Sequence, residues 1–294
     1  MAASRHASGF ACEPIADPAA MREAVGAARA AGRRVGLVPT MGALHAGHLA
    51  LVERAAAECD DVVVSIFVNP TQFGPGEDFE RYPRPLEADL EALGGNRVRW
   101  IFTPSVEAMY PDGAATRIVV DGPAKGYEGD IRPSHFSGVA TIVCRLFLIA
   151  PVERAYFGAK DWQQTLVVKR MVRDLGLPIE VVVCPTVREP DGLAMSSRNA
   201  YLTPDERRRA LALSQSLAEA AEAWVSGAAV ASIEATMRQC LASQNIAVDY
   251  ASIADADSLG PVLAGRDAVA LVAGRLGSTR LIDNRLLPPR TPCQ

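Results

Sequence analysis

The first clear rhythm in the chain is a short apolar run, Val35-Gly-Leu-Val-Pro39, followed by a polar loop and then by apolar positions at helical spacing, Leu49, Val52, Ala55 and Ala56. The pattern predicts a buried strand over 35–39, a loop carrying Pro39-Thr-Met-Gly-Ala-Leu-His-Ala-Gly-His48, and a helix over 44–58. Asp61 to Val68 is β-branched and almost continuously apolar, as a strand covered on both faces is. Together these form one β-α-β unit. The alternation continues with helices over 85–93, 138–149 and 161–175 and strands over 99–102, 155–157 and 179–183. Strand and helix taking turns to about Pro185 predict an α/β fold with a doubly wound parallel sheet.

Past Pro185 the rhythm changes. Thr203-Pro-Asp-Glu206 reads as a capping box with proline at the first helical position, opening a long helix towards Val225. A second helix over 230–243 and apolar runs at 248–253, 268–272 and 281–282 predict a smaller α+β domain. The boundary falls near Thr186, giving domains of residues 1–186 and 187–294.

Composition narrows the classes. Apolar residues make up 49% and charged residues 22% of 294 residues, the make-up of a folded chain rather than a disordered one. A net charge of -4 gives no broad basic field, so nucleic acid is not an indicated partner, although a local phosphate site is compatible with it. No apolar run reaches the roughly 18 residues a membrane span needs, and none is expected. The six cysteines, Cys12, Cys59, Cys144, Cys184, Cys240 and Cys293, lie far apart without a CxxC pair, which suits reduced thiols in a cytoplasmic protein.

Candidate chemistry concentrates in loops that follow strands. In Pro39–His48 the glycines Gly42 and Gly47 allow close backbone approach, and the helix entrance offers N–H groups and a positive dipole end to phosphate. His45 and His48, three apart there, suit hydrogen bonds to phosphate oxygens and to the charge that grows on a leaving diphosphate. They also fit two surface histidines in a turn. A zinc site is the weaker reading, because HExxH and a nearby cysteine pair are lacking. Asn69-Pro-Thr-Gln-Phe73 is too rich in turn residues to extend the preceding strand, so Gln72 belongs to a loop where it suits a polar small substrate.

Asp89 suits either a magnesium ion, reached through water, or a solvated helix face. His135, in Arg132-Pro-Ser-His135-Phe-Ser-Gly-Val139, fits a pocket wall or a structural cap. Lys160 and Asp161, in Gly158-Ala-Lys-Asp-Trp-Gln-Gln164, fit a phosphate and ribose contact or an ion pair that caps a helix. Gln164 on the following turn offers both an acceptor and donors. Met195-Ser-Ser-Arg-Asn199 supplies the hydroxyls of Ser196 and Ser197 and the planar fork of Arg198, or plain turn chemistry.

Taken together, these segments resemble the pantothenate synthetase (pantoate–β-alanine ligase) family of the HIGH-type nucleotidyltransferases. The likeness runs through Pro39–His48, Phe67–Phe73, Tyr82–Arg84, His135–Val139, Lys160-Asp161 with Gln163-Gln164, and Met195–Asn199. It covers the chain from about residue 35 to 202, in order and in spacing. The resemblance implies a Rossmann-like amino-terminal domain binding nucleotide and pantoate, a small carboxyl-terminal lid that closes over ATP, and a homodimer. It implies that pantoate attacks the α-phosphorus of Mg-ATP to give pantoyl adenylate and diphosphate, and that the β-alanine amine then displaces AMP.

By the same resemblance Met41, Gly42, Ala43, Leu44, His45, Ala46, Gly47 and His48 surround ATP, with His48 as proton donor and His45 beside the phosphates. Gly158, Ala159, Lys160, Asp161, Val187, Met195, Ser196, Ser197 and Arg198 also hold ATP, and Lys160 stabilises the pentacoordinate transition state. His45 and Arg198 share the catalytic role, Gln72 and Gln164 hold pantoate, and Asp89 is the metal residue. Two departures from the family pattern stand out: Gly158-Ala-Lys-Asp-Trp162 where GEKD with Tyr or Phe is frequent, and Thr71-Gln72-Phe73 where MQF is frequent. Both bear on pocket shape.

Other readings use the same residues. A cytidylyltransferase or adenylyltransferase acting on a phosphorylated substrate shares the HxGH loop, but Gln72 and Gln164 favour an uncharged, hydroxyl-bearing ligand. A class I aminoacyl-tRNA synthetase fragment is disfavoured by the missing basic surface. A nucleotide-sensing binding protein would keep the loop without turnover, and Lys160 and Arg198 beside the histidines argue against it.

Overall fold

The structure is a computed structural model and describes residues 13–290. In chain order β1 (Glu13–Ile15) leads into α1 (Pro18–Ala30), β2 (Val35–Thr40), α2 (Ala46–Glu58) and β3 (Asp61–Ile66). A single turn at Pro70–Gln72 precedes α3 (Leu86–Leu93), β4 (Trp100–Phe102) and the short helices α4 (Val106–Met109) and α5 (Glu128–Ile131). Next come α6 (His135–Ile149), β5 (Arg154–Gly158), a turn at Ala159–Asp161, α7 (Trp162–Asp174) and β6 (Glu180–Cys184). After a turn at Ser197–Tyr201 follow α8 (Pro204–Arg209), α9 (Leu211–Val225), α10 (Val230–Ser243), β7 (Ala247–Asp255), β8 (Ala268–Leu276) and β9 (Thr279–Leu287).

The chain divides into two compact units. The first contains the described residues up to Val119 with Ser134–Phe157 and Met171–Cys184; the second contains Val120–Pro133, Gly158–Arg170 and the described residues from Pro185. The first unit is built on a six-stranded parallel sheet in the order β1-β4-β3-β2-β5-β6. Because β2, β3 and β4 step one way across this sheet and β5 and β6 the other, the strand order reverses between β2 and β5. These two strands pair directly, Gly36 with Arg154 and Leu37 with Ala155. In open α/β sheets, ligands bind outside the carboxyl ends of the strands at such a reversal. The histidine loop follows β2 in the chain, and the Gly158–Asp161 turn follows β5.

Val38, Val62, Val64 and Ile101 from the central strands pack with Leu51, Val52 and Ala55 of α2 and Leu93 of α3. Burial on both faces explains why β2 and β3 read as nearly unbroken apolar runs. The second unit carries the antiparallel sheet β7-β8-β9, covered by a core of Leu213, Leu217, Trp224, Ile233, Met237, Ala270 and Val272. Among the described residues no helix is long and apolar enough to cross a membrane. Cys59, Cys144, Cys184 and Cys240 are free thiols; Cys12 and Cys293 lie outside the described residues.

Some elements differ from their sequence expectation for identifiable reasons. The long helix expected over 204–225 is interrupted at Ala210, where Leu213 N–H bonds the Ala210 carbonyl at 3.1 Å, a tight i→i+3 step. Its capping box forms as expected, Thr203 with Glu206. α2 begins at Ala46 because His45 is already its cap, and α6 begins at His135 rather than 138. α1 has no counterpart in the alternation read above. Its signals are Asp17, whose side chain accepts from Ala20 N–H, Pro18 at the first position, and a buried stripe of Met21, Val25 and Ala28.

Candidate active site

In the first unit, the turn after β2 folds by satisfying its own backbone. Thr40 Oγ1 donates to the Ser65 carbonyl at 2.7 Å and accepts Gly42 N–H at 3.1 Å. Gly42 (φ 78°) and Ala43 (φ 50°) then take left-handed conformations, which at Gly42 also leaves room for Asp89: a Cβ there would sit 2.8 Å from Asp89 Oδ2. Asp89 is buried, and its carboxylate accepts Ala43 N–H at 2.9 Å and Leu44 N–H at 2.7 Å. It therefore fixes the loop from α3, with each oxygen retaining acceptor capacity. Asp89 therefore lies on a buried rather than a solvated face of α3.

His45 caps α2. Its Nδ1 accepts Gly47 N–H at 3.1 Å, while His48 Nδ1 receives His45 N–H at 3.4 Å. The rings stack with centroids 4.1 Å apart. An imidazole that accepts at Nδ1 carries its proton at Nε2 in the neutral form. Capping thus fixes the same tautomer in both neutral rings, with the proton on Nε2, at a helix amino terminus, where anions are favoured.

Gln72 is buried at the end of its turn. Its Oε1 accepts Asn69 Nδ2 at 3.1 Å, which leaves its amide nitrogen directed at Met41 Sδ, 2.8 Å away. Asn69 also donates to the Gly138 carbonyl at 3.2 Å and accepts Tyr110 OH at 2.8 Å. Thr71 hydroxyl joins this network through Asn69 Oδ1 at 3.0 Å, so the departure at residue 71 helps hold the turn. His135 donates from Nδ1 to the Gln72 carbonyl at 2.9 Å. His135 thus supports the turn that carries Gln72 rather than capping its own helix. Tyr82 packs edge-on to Phe73 at 5.8 Å, and Arg84 binds the carbonyls of Phe79 and Tyr82 within the same loop.

In the second unit, Lys160 and Asp161 form the turn that opens α7. The ammonium lies 3.8 Å from Asp161 Oδ1, with Lys160 mostly shielded and Asp161 half-exposed. Gln164 sits on the first turn of α7. Trp162, the second departure, donates its indole N–H to the Ala256 carbonyl at 2.9 Å and so ties the helix entrance to the end of β7. The neighbouring Gln163 is buried, donating to the carbonyls of Pro123, Lys125 and Gly126 and accepting Glu128 N–H at 3.0 Å.

Val187 and Met195 face each other across a small hairpin, Met195 N–H bonding the Val187 carbonyl at 3.0 Å. Gly192 (φ 96°) supplies its turn. Arg188 anchors the hairpin to β9 through Asp283, at 2.7 and 3.0 Å. Ser196 then caps the next turn, its Oγ accepting Arg198 N–H at 3.3 Å, and Ser197 and Arg198 lie within that turn. Asn199 donates to Glu189 and to the Ala194 carbonyl.

Each unit therefore gathers its own share of the expected residues: Met41–His48, Gln72 and Asp89 in the first, Gly158–Asp161, Gln164, Val187 and Met195–Arg198 in the second. The groups that hold these residues were missed from sequence. Asn69 left a faint signal as a cap before Pro70; Arg188, Asp283 and Asn284 left none, because each acts through a partner far away in the chain.

The family model described as pantoate-beta-alanine ligase matches residues 13–286. The chain is 52% identical over 273 residues to the pantothenate synthetase of Moorella thermoacetica, covering 92% of this chain and 96% of that protein. It is similar to the crystal structure of a pantothenate synthetase from Thermus thermophilus, with a TM-score of 0.87, 50% identity, and coverage of 93% of this chain and 98% of that one. It is also similar to a Francisella tularensis pantoate-beta-alanine ligase complexed with beta-gamma ATP and beta-alanine, with a TM-score of 0.80, 33% identity, and coverage of 94% and 98%.

Proposed function

The chain belongs to the pantoate–β-alanine ligase family, and from that membership we infer that it condenses pantoate with β-alanine at the expense of ATP, releasing AMP and diphosphate. The observation that carries this reading to individual residues is the pair of Nε2 donors, His45 and His48, at the entrance of α2 directly after the strand where the sheet order reverses. In the first step a pantoate carboxylate oxygen bonds to the α-phosphorus of ATP, and the bond from that phosphorus to the diphosphate breaks. In the second the β-alanine amine attacks the acyl carbon, AMP departs with the carboxylate oxygen, and the amine loses a proton. Such chemistry needs positioning and charge stabilisation rather than a protein nucleophile.

In this account His45 and His48 donate hydrogen bonds from Nε2 to phosphate oxygens, and His48 steadies the charge that grows on the departing diphosphate. Gln72 and Gln164 orient pantoate. The backbone of Met41–His48 and of Gly158–Asp161, with Val187 and Met195–Ser197, holds the nucleotide, while Lys160 and Arg198 meet charge that grows on phosphorus. Asp89, whose oxygens keep acceptor capacity, would hold magnesium through water. When bound it neutralises phosphate charge. The proposal extends to a cytoplasmic homodimer, in keeping with the resemblance, and light scattering on purified protein reads the assembly.

Incubation with Mg-ATP, pantoate and β-alanine is expected to yield pantothenate and AMP in equal amounts. Folded protein that forms neither would remove the assignment. Substitution at Gly138 tests the Gln72 support separately. A Cβ there would lie 2.4 Å from the Thr71 carbonyl oxygen and 2.7 Å from Gln72 Cα, and both are backbone atoms. The Gly138→Ala variant is expected to lose about 1–3 kcal/mol of stability in a urea titration, and to raise KM for pantoate more than KM for ATP. Equal changes in the two KM values would contradict the placement of pantoate at Gln72.

A further inference from the structure

Lys160 is given its role above, but nothing in its own side chain fixes the backbone that carries it. The turn Ala159–Asp161 is short, and its cap residue Gly158 has no side chain to bond the exposed groups. The fixing group comes from β9. Asn284 Nδ2 donates to two successive carbonyls of this turn, Ala159 at 2.9 Å and Lys160 at 2.7 Å. Asn284 is 5% exposed, in a strand paired residue for residue with β8, where it opposes Leu271. A buried amide among strands is costly unless its hydrogen bonds are made. An apolar residue would fill the position without that cost, but could not hold a pair of carbonyls.

The preceding residue extends the same arrangement. Asp283 is 2% exposed, accepts Asn284 N–H at 2.8 Å, and holds Arg188 of the Val187–Met195 hairpin through both carboxylate oxygens. Consecutive residues of one strand thus anchor both segments of the second unit to which nucleotide contacts were assigned. A site built on a rigid strand keeps its geometry better than one left to loops.

We propose that Asn284 is a positioning residue for Lys160, setting the place of its ammonium through the Ala159 and Lys160 carbonyls; this rests on the transition-state role given to Lys160. The test is pantoate-dependent ATP–diphosphate exchange in the wild type, Asn284→Asp, Asn284→Ala, Lys160→Ala and the two double variants, with thermal unfolding measured on each. Asn284→Asp turns an acceptor towards both carbonyls; Asn284→Ala only removes the amide and carries the comparison if the former does not fold. Each folded Asn284 variant is expected to lose roughly ten- to a hundredfold in exchange rate, the scale of a misplaced group, and to cause no further loss once Lys160 is alanine. Exchange at the wild-type rate in a folded Asn284 variant, or losses that multiply in the double variant, would overturn the proposal. Undiminished exchange in Lys160→Ala alone would instead remove the role of Lys160 and this proposal with it.

Discussion

The Lys160→Ala variant is expected to lose pantoate-dependent ATP–diphosphate exchange by roughly two to three orders of magnitude, about 3–4 kcal/mol at the barrier, the scale of removing one preorganised charge-stabilising group. The reaction as assigned has no covalent enzyme intermediate, so electrostatic stabilisation of pentacoordinate phosphorus has no protein bond-making step to share the load with. The ammonium is largely shielded from water, and its ion pair with Asp161, at 3.8 Å, is longer than a hydrogen bond. Lys160→Arg keeps the charge but changes its shape and reach, and is expected to fall between the wild type and alanine. Pre-steady-state exchange assays with folded variants read all three. An alanine variant within a few-fold of wild type would place the charge stabilisation elsewhere.

The second large effect is on stability. Glu128 is buried in the second unit and receives Arg280 through both oxygens, at 2.7 and 2.6 Å, together with Tyr250 OH at 2.8 Å. Arg280 also binds Asp249 at 2.6 Å. Removing the Glu128 charge leaves the buried Arg280 with Asp249 as its remaining carboxylate partner, so Glu128→Gln is expected to cost about 3 kcal/mol in a urea titration, the lower end of the range for a broken buried pair. The cost has a pH signature. Burial works to raise the Glu128 pKa, but the hydrogen bonds and charge of Arg280, helped by Tyr250 and Arg132, outweigh it and hold the carboxyl below its ordinary range. A carboxyl whose pKa is lowered by folding stabilises fully above its unfolded value, and loses that contribution as pH falls through its folded value. The gap between wild type and Glu128→Gln is therefore expected to be widest at neutral pH and to narrow below about pH 4, where an unfolded glutamate begins to protonate. A gap that widens in acid would reverse the sign and contradict the ion-pair account.

Much of the fold was legible because its signals are local. β2 and β3 are apolar on both faces, and the capping box at Thr203–Glu206 lies within four residues of chain, so both could be read without knowing their neighbours. The reversal between β2 and β5 was not, because strand order is set by pairing between distant segments. The same distinction separates the candidate residues from their supports. Histidines at a helix entrance announce themselves by type and place, but the tautomer they adopt follows from the cap hydrogen bonds of Gly47 and His45. Asp89 reads in sequence as one acidic helix residue among several; its pairing with Ala43 and Leu44 N–H spans more than forty positions. Asn284 and Glu128 lie in segments without any motif, and only the folded second unit gives them something to hold.

Adenylation as assigned requires a pantoate carboxylate oxygen to attack the α-phosphorus of ATP. Pantoate labelled with ¹⁸O in both carboxylate oxygens, turned over with Mg-ATP and β-alanine, tests this step by mass spectrometry of the products. One labelled oxygen in each AMP and none in diphosphate is the predicted result, because the attacking oxygen stays on phosphorus when the amine breaks the acyl C–O bond. Unlabelled AMP, or label in diphosphate, would contradict it.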